Sequence, residues 1–161
     1  GSGPTPFPGY TGMDRMPGSD MVVDLEAGKL PFQDNTIEAV RAYHILEHIQ
    51  NLDGLMAEIY RVLEPEGMVY HCVPWHLSVL AWQDPSHLRA FTDQTWSYWD
   101  RTHPHARFKL ASPFNFRMVQ QTYGYRRPFG ILPEWIRRLC RNHIPDVCRV
   151  QYATLQAIKT A

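Results

Sequence analysis

The sequence lacks the features that mark several special classes of protein. Its 161 residues contain no run of 18 apolar residues, so we expect no membrane-spanning helix. The first residues show neither a basic end nor an apolar stretch, so we expect no secretory signal. Cysteine occurs only three times, an odd number without CxxC spacing, which argues against a disulfide scaffold. We therefore predict a protein of a reducing compartment, the cytoplasm.

The composition is that of one globular domain. Hydrophobic residues make up 44% of the chain, too many for a disordered protein, and charged residues make up 20%. The length suits a single hydrophobic core and is short for two. No internal repeat is present in the sequence. We therefore treat residues 1–161 as one domain.

The formal net charge of zero conceals two halves of opposite sign. Residues 1–70 carry four basic and eleven acidic residues, whereas residues 71–161 carry twelve basic and five acidic residues. This asymmetry indicates either that the halves have different partners or that they neutralise each other within the molecule. The sequence is compatible with both.

The first half of the chain alternates short apolar runs with turn residues. Apolar positions at helical spacing predict a helix over 52–63, with Asn51 as its N-terminal cap. Short β-forming runs predict strands, the first two of which end on aspartates. These predicted strands lie at 10–14, 21–24, 36–43 and 68–73.

The second half begins with an aromatic segment. Residues 75–107 hold four of the five tryptophans and show little periodicity, which predicts a long insertion or lid with one helix near 93–98, capped by Thr92. A helix over 133–141 is predicted between two late strands. Those strands lie at 116–123 and 149–158. We divide the domain into a first half at 1–74, an aromatic, histidine-rich insertion or lid at 75–115 and a C-terminal part at 116–161.

The order of these elements predicts an α/β domain with a mostly parallel sheet. In such sheets, ligands bind outside the carboxyl ends of the strands. Asp14, Asp24 and His44 all fall at predicted strand ends. Element order alone therefore predicts a ligand site at this edge of the sheet.

Three segments of the first half form an ordered pattern. GSGPTPFPGYTGMD runs from Gly1 to Asp14, DL at Asp24 is followed by LPFQDN, and HILEH at His44 is followed by RVLEPEG. Together they resemble the glycine loop, the adenine-side segment and the stretch from the fourth to the fifth strand of S-adenosylmethionine-dependent methyltransferases of the type 11 kind. The resemblance implies a Rossmann-like, three-layer methyltransferase sheet and S-adenosylmethionine as cofactor.

The resemblance also implies roles for individual residues. Gly1 and Gly3 would let the backbone approach the cofactor carboxylate. Asp14 would accept hydrogen bonds from the two ribose hydroxyls. Asp24 would accept from the adenine amino group while Leu25 packs on the ring. The residues expected beside the methionyl and sulfonium end are Ala42, Tyr43 and His44.

The chain departs from the family at its start. In the family a buried apolar strand precedes the glycine loop, and this sequence begins at the loop. We expect the first strand to be missing, and the explanation we favour is that the chain is a fragment of a longer one. Two alternatives stay open: Gly1-Ser2-Gly3 is a cloning remnant, or a partner or another copy in a homo-oligomer supplies the strand.

The acceptor side is expected to lie after the strand at 68–73. Methyl transfer to a hydroxyl benefits from a base with a pKa near neutrality, for which we favour His87 and then His76. Asp84 would orient His87 or Arg89, and Arg89 would hold an anionic group of the substrate. Trp75 is expected to contact the substrate. The alternative is that Asp84 and Arg89 only staple the loop.

A metal site has weaker support. His44, Glu47 and His48 match the H-x-x-E-H pattern of zinc hydrolases. That pattern requires both histidines on one helical face, whereas His44 closes a predicted strand, and Glu134 is the only glutamate beyond residue 66. We therefore assign no metal ligand and keep the zinc hydrolase as a remote alternative.

The prediction for function is O-methylation of a small-molecule or glycan-type acceptor, with an anionic acceptor as one option. The competing class is a non-catalytic, methyltransferase-like module that binds an anionic partner through its basic half. Its arginines would serve a phosphate-bearing ligand or an anionic membrane, or the helix at 133–141 would simply pack its aromatic side on the sheet. No nucleic-acid-binding motif accompanies the charge, so we disfavour nucleic acid. The arginines are Arg126, Arg127, Arg137, Arg138 and Arg141.

Overall fold

The structure, a computed structural model, describes residues 8–109 and 113–159, and describes 107–109 by their backbone only. Gly1 and Gly3 lie outside the described residues. The strands are β1 (Met13–Asp14), β2 (Met21–Val22), β3 (Ile37–Tyr43), β4 (Leu63–Pro74), β5 (Phe116–Tyr125) and β6 (Cys148–Ala157). The α-helices are α1 (Leu52–Val62) and α2 (Glu134–His143). Short 3₁₀ helices span Val79–Ala81, Thr95–Trp99, Pro104–Lys109 and Phe129–Ile131.

The predicted elements are present, with changed bounds. Asn51 caps α1 as expected, because its side chain accepts a hydrogen bond from the backbone N–H of Gly54 at 3.0 Å. Strand β4 begins at Leu63, directly after the helix, and is longer than the apolar run that predicted it. The helix predicted near 93–98 is a 3₁₀ helix at Thr95–Trp99.

The main sheet is mixed, so the prediction of a mostly parallel sheet was wrong in its strand pairing. Its four strands lie in the order β3-β4-β6-β5. Strands β3 and β4 are parallel, but β6 pairs antiparallel with both β4 and β5. The reason is that β6 inserts between two strands that run in the same direction. Strands β1 and β2 form a separate parallel pair.

One face of the main sheet packs against α1 and the aromatic segment. Helix α1 buries Met56 and Ile59 in the same core as Leu155 of β6. Phe91 and Trp96 join that core, with their rings stacked at 5.0 Å between centroids. Burial of such large rings is a major source of stability. This part of the predicted insertion or lid is therefore a piece of the core.

The opposite face of the sheet is more open. It carries Tyr43, Cys72 and Tyr152 in register, and Tyr152 is 40% exposed. A third layer on this face stays a prediction. Within residues 8–109 and 113–159, no helix has the length and apolar character needed to cross a membrane.

Candidate functional site at the carboxyl edge

The two aspartates predicted at strand ends both begin turns. Asp14 is the last residue of β1, and its Oδ1 accepts from the backbone N–H of Met16 at 3.1 Å. Asp24 lies two residues after β2, and its Oδ1 accepts from the N–H of Glu26 at 2.9 Å. Such local hydrogen bonds fix the direction of short acidic side chains. Leu25, between the two acidic residues of the second turn, is half-buried against the core.

The turn after β2 touches the start of α1. The Glu26 carboxylate accepts from the backbone N–H of Gln50 at 2.5 Å and of Asn51 at 3.3 Å. A carboxylate is stabilised at the N-terminus of a helix, where N–H groups lack partners within the helix. This contact brings the loops that follow β2 and β3 to one place, which we call the carboxyl edge.

His44 lies at the carboxyl edge in an unusual conformation. It follows β3 directly and has a φ of 51°, in the left-handed region that non-glycine residues rarely adopt. Its Nε2 lies 3.6 Å from the Cys72 Sγ, and its Nδ1 lies 3.2 Å from the Glu47 Oε1. Hydrogen bonds to Cys72 and Glu47 raise the pKa of His44 to about 10, so the imidazole is a cation at neutral pH.

The two residues before His44 differ in their surroundings. Ala42 is buried in the core, so only its backbone is available to a ligand. Tyr43 is half-buried on the open face of the sheet, and its hydroxyl accepts from Arg41 at 3.0 Å.

The loop after β4, residues 75–91, brings the predicted Asp84–His87 pair together. The Asp84 Oδ2 lies 4.0 Å from the His87 Nε2, and hydrogen bonds from Ser86 lower the pKa of Asp84. The Arg89 side chain contacts the loop after β3, where its guanidinium donates to the Gln50 carbonyl at 2.9 Å. Asp84 therefore faces His87, and Arg89 contacts the neighbouring loop.

The start of the same loop is better packed than expected for a substrate contact. Trp75 is 1% exposed, and its indole N–H donates to the Arg141 carbonyl at 3.1 Å. Its neighbour His76 is half-buried, with its ring against Trp75 at 4.5 Å between centroids. Burial lowers the pKa of His76, so this imidazole is neutral at pH 7.

A cleft of about 490 Å³ opens beside the carboxyl edge. It combines the N-terminus of α1 with Arg89 and with the aromatic 3₁₀ helix. Within it, the Asp53 Oδ1 accepts from the Trp99 indole N–H at 3.0 Å. The lining residues are Gln50, Asn51, Leu52, Asp53, Arg89, Thr95, Tyr98 and Trp99.

The basic helix α2 does not pack its aromatic side on the sheet, which corrects that option. Trp135 is 70% exposed and Leu139 is 56% exposed. The residue that packs inward is Arg141, whose guanidinium carbon lies 3.6 Å from the centroid of the Tyr123 ring. A guanidinium fits this place because it is planar and stacks on aromatic faces.

Sequence reasoning missed how Glu47 and His48 meet the loop after β4. The His48 Nδ1 lies 2.9 Å from the Ser86 hydroxyl, and its ring packs edge-on against His87 at 4.6 Å between centroids. The signal was present as two histidine-bearing motifs, each following one strand of the parallel pair. Their approach depends on the register of β3 and β4, which the sequence does not display.

Comparison with solved structures shows that the fold is similar to that of Rossmann-like methyltransferases. The YcgJ protein of Bacillus subtilis aligns with a TM-score of 0.51 at 16% identity, over 84% of this chain and 69% of that one. An S-adenosylmethionine-dependent methyltransferase from Archaeoglobus fulgidus aligns with a TM-score of 0.50 at 15% identity, over 84% of this chain and 66% of that one. At such identities the likeness concerns the fold, and it confirms the predicted Rossmann-like α/β class.

A shorter segment of the chain matches a family model. Residues 12–71 match the family model of the methyltransferase domain. The ubiquinone/menaquinone biosynthesis C-methyltransferase UbiE of Desulfotalea psychrophila is 48% identical over 42 residues, which are 26% of this chain and 17% of that protein. The chain thus matches only a small part of this curated relative. The resemblance predicted from the sequence is confirmed, and residues 12–71 carry it.

Proposed function

We propose that this protein is an S-adenosylmethionine-dependent methyltransferase. The observation that supports the proposal is that residues 12–71 match the methyltransferase domain and that, within them, the loop after β2, which holds Asp24, contacts the loop after β3, which begins at His44. Asp14 ends β1, which pairs with β2. Ligands bind at this edge in open α/β sheets.

The side chains at the carboxyl edge fit S-adenosylmethionine as the cofactor. Asp14 is half-exposed and Asp24 is exposed, so their carboxylates are accessible to hydroxyl and amino donors. Leu25, which directly follows Asp24 and is half-buried, offers apolar surface for an adenine ring. When bound, S-adenosylmethionine supplies the methyl group from its sulfonium. In this proposal Asp14 holds the ribose, Asp24 holds the adenine amino group, and Tyr43 and His44 border the methionyl end.

The acceptor occupies the cleft beside Arg89. An in-line displacement depends mainly on holding the acceptor oxygen in position, and the cleft offers a cation and aromatic surface for that task. Neither of the two histidines expected to act as bases lines the cleft. Of the two we favour His76, because burial lowers its pKa and keeps the imidazole a neutral proton acceptor at pH 7. The side chain of His87 is only 9% exposed, and its Nδ1 is engaged by the Ala81 carbonyl at 3.2 Å.

The chemical class of the acceptor is proposed from the base and from the lining of the cleft. We propose O-methylation of a small-molecule or glycan-type acceptor, whose hydroxyl would need the base. C-methylation, named for the bacterial relative, is the competing reaction. Acceptors with an anionic group are favoured because Arg89 lines the cleft.

Titration with S-adenosylhomocysteine tests the proposal without knowledge of the acceptor. We expect saturable binding to the protein at one equivalent, measured by isothermal titration calorimetry. Absence of binding would contradict the proposed enzymatic function.

The second candidate function is that of a non-catalytic binding module. It is supported by the exposed Trp135 and Leu139 beside Arg138 on α2. Binding of the protein to vesicles rich in phosphatidylserine would identify this function.

A further inference from the structure

Three metal-ligating side chains meet between the loops that follow β3 and β4. They are Glu47, His48 and His87, which we call the His–Glu cluster. One ligand atom from each lies within 4.8 Å of the other two. The backbone also joins the loops here, because the N–H of Leu88 donates to the carbonyl of Glu47 at 2.9 Å. The cluster is therefore held by two structural elements and does not depend on one flexible loop.

The hydrogen bonds around the two histidines set which ring nitrogen carries a proton. The His87 Nδ1 faces the Ala81 carbonyl at 3.2 Å, and since a carbonyl only accepts, Nδ1 is the donor. The His48 Nδ1 faces the Ser86 hydroxyl at 2.9 Å, and that hydroxyl donates to Asp84 at 2.7 Å. The hydroxyl thus accepts from His48. With Nδ1 as the donor in each ring, Nε2 is the nitrogen that can ligate a metal, the arrangement found in metal-binding histidines.

The carboxylate of Glu47 supplies the second, independent observation. Glu47 is fully buried, and its Oε1 lies 3.2 Å from the His44 Nδ1. Its Oε2 is buried and has no hydrogen-bond partner among residues 8–109 and 113–159. A buried carboxylate oxygen without a partner costs free energy unless a hydrogen bond or a cation compensates it.

We propose that the His–Glu cluster binds a divalent transition metal, with zinc as the ion that best matches two imidazoles and one carboxylate. Zinc binds such ligands at about 2.0–2.1 Å, which places tetrahedral ligand atoms about 3.4 Å apart. Binding would therefore bring ligand atoms that now lie up to 4.8 Å apart closer together, by up to about 1.4 Å. The metal would clamp the loop after β4 onto the turn after β3 and would keep a coordination position for water or a ligand. His44 is not a ligand in this assignment, because its Nδ1 contacts Glu47 and its Nε2 contacts Cys72.

The site shares no ligand with the residues proposed to hold the cofactor, although Glu47 contacts His44 at 3.2 Å. It differs from the remote H-x-x-E-H alternative, which needs His44 as a ligand. Hydrogen bonds behind the ligands hold them in place: Ser86 orients His48, and Asp84 orients Ser86. Loss of such a supporting group weakens metal binding about 10- to 100-fold. Ser86 is exposed, so its removal should leave the fold intact.

The test is titration of chelator-treated protein with Co²⁺ and Zn²⁺. We expect one equivalent of Co²⁺ to give visible d–d absorption, Zn²⁺ to displace it, and Zn²⁺ to raise the melting temperature. His48→Gln and His87→Gln should abolish the signal, and Ser86→Ala should weaken binding at least about tenfold. His143→Gln, at an exposed position on α2, is the matched control and should bind normally.

Two results would contradict the proposal that the His–Glu cluster binds a metal. One is the absence of stoichiometric binding by the wild-type protein. The other is binding that survives both His48→Gln and His87→Gln, which would mark an adventitious site elsewhere. Titration of the metal-free protein with S-adenosylhomocysteine keeps this proposal separate from the proposed function, because cofactor binding does not require the cluster.

Discussion

The imidazole of His71 lies against the indole of Trp96, with ring centroids 3.9 Å apart. Both side chains are buried, and neither ring nitrogen of His71 has a hydrogen-bond partner among the described residues. Burial alone lowers the pKa of His71 to about 3. The folded protein therefore holds a neutral imidazole in its core, next to the strand that leads to the candidate site.

This burial predicts a loss of stability in acid. The pKa of His71 is about 3 when folded and about 6.5 when unfolded, so between these values the unfolded chain binds more protons. The contribution of a neutral His71 is complete above pH 6.5 and falls as the pH drops toward 3. At pH 5 the loss is about 2 kcal/mol. Urea unfolding of wild type and His71→Leu at pH 7.5 and 5 measures it: the variant should lose less stability on acidification.

The exposed His143 provides the control for that experiment. His143→Leu should keep the acid sensitivity of the wild type. Equal pH dependence in His71→Leu and wild type would show that the core histidine does not contribute.

A second prediction concerns Arg61, which ties the turn before β3 to helix α1. Its guanidinium donates to the carbonyls of Leu30 and Phe32 and pairs with Glu58 at 2.8 Å. The same contact with Arg61 lowers the pKa of Glu58. Arg61→Met keeps the aliphatic stem but leaves these acceptors without their donor, so we expect a loss of about 2 kcal/mol in the free energy of unfolding.

Chemical denaturation checks this value, with Arg15→Met as the control at an exposed position. Arg61→Lys should recover little of the loss, because an ammonium cannot donate to several acceptors in one plane. Full recovery by lysine would show that charge alone matters at this position.

The third prediction concerns Arg141, the buried cation of α2. It stacks on Tyr123 and donates to the Tyr125 hydroxyl at 2.5 Å. Arg141→Ala removes the cation–π contact and opens a gap between the helix and the sheet, and we expect a loss of about 3 kcal/mol. Arg138→Ala, on the exposed side of the same helix, should change stability little. Similar unfolding midpoints for the two variants would contradict the packing role of Arg141.

Local patterns predicted the elements well because they depend on near neighbours. The cap at Asn51 and the apolar spacing of α1 are readable from adjacent residues, and the structure confirms both. The position of β6 between β4 and β5 depends on contacts between residues far apart in the chain, and the local pattern of apolar and turn residues does not predict it. The candidate site likewise has features that near neighbours predict and features that depend on long-range contacts. Asp14 and Asp24 follow from strand ends, whereas the meeting of His48 with Ser86 joins residues 38 positions apart.

Side-chain burial is also a property that the sequence does not display. An arginine among exposed arginines is normally a surface residue, yet Arg141 is 4% exposed, because Tyr123 of β5 offers it an aromatic face and Tyr125 of β5 offers it a hydroxyl acceptor. The sequence predicts Trp75 at the substrate, but its buried indole donates to the carbonyl of Arg141. Both outcomes depend on where β5 lies relative to α2.

The fourth prediction tests the cofactor half of the site through Asp14. In the proposed function its carboxylate accepts from both ribose hydroxyls, which an amide cannot do with equal strength, because hydrogen bonds to a charged acceptor are stronger. Asp14→Asn keeps the size of the side chain and removes the charge, so the dissociation constant for S-adenosylhomocysteine should rise about 10- to 30-fold, equivalent to about 1.5–2 kcal/mol. Glu38→Gln, an equivalent change at an exposed position of β3, should bind with unchanged affinity. Calorimetric titration of the three proteins decides the matter, with the melting temperature of each measured to confirm folding. Equal affinities for wild type and Asp14→Asn would remove Asp14 from the ribose site even if the protein binds the cofactor.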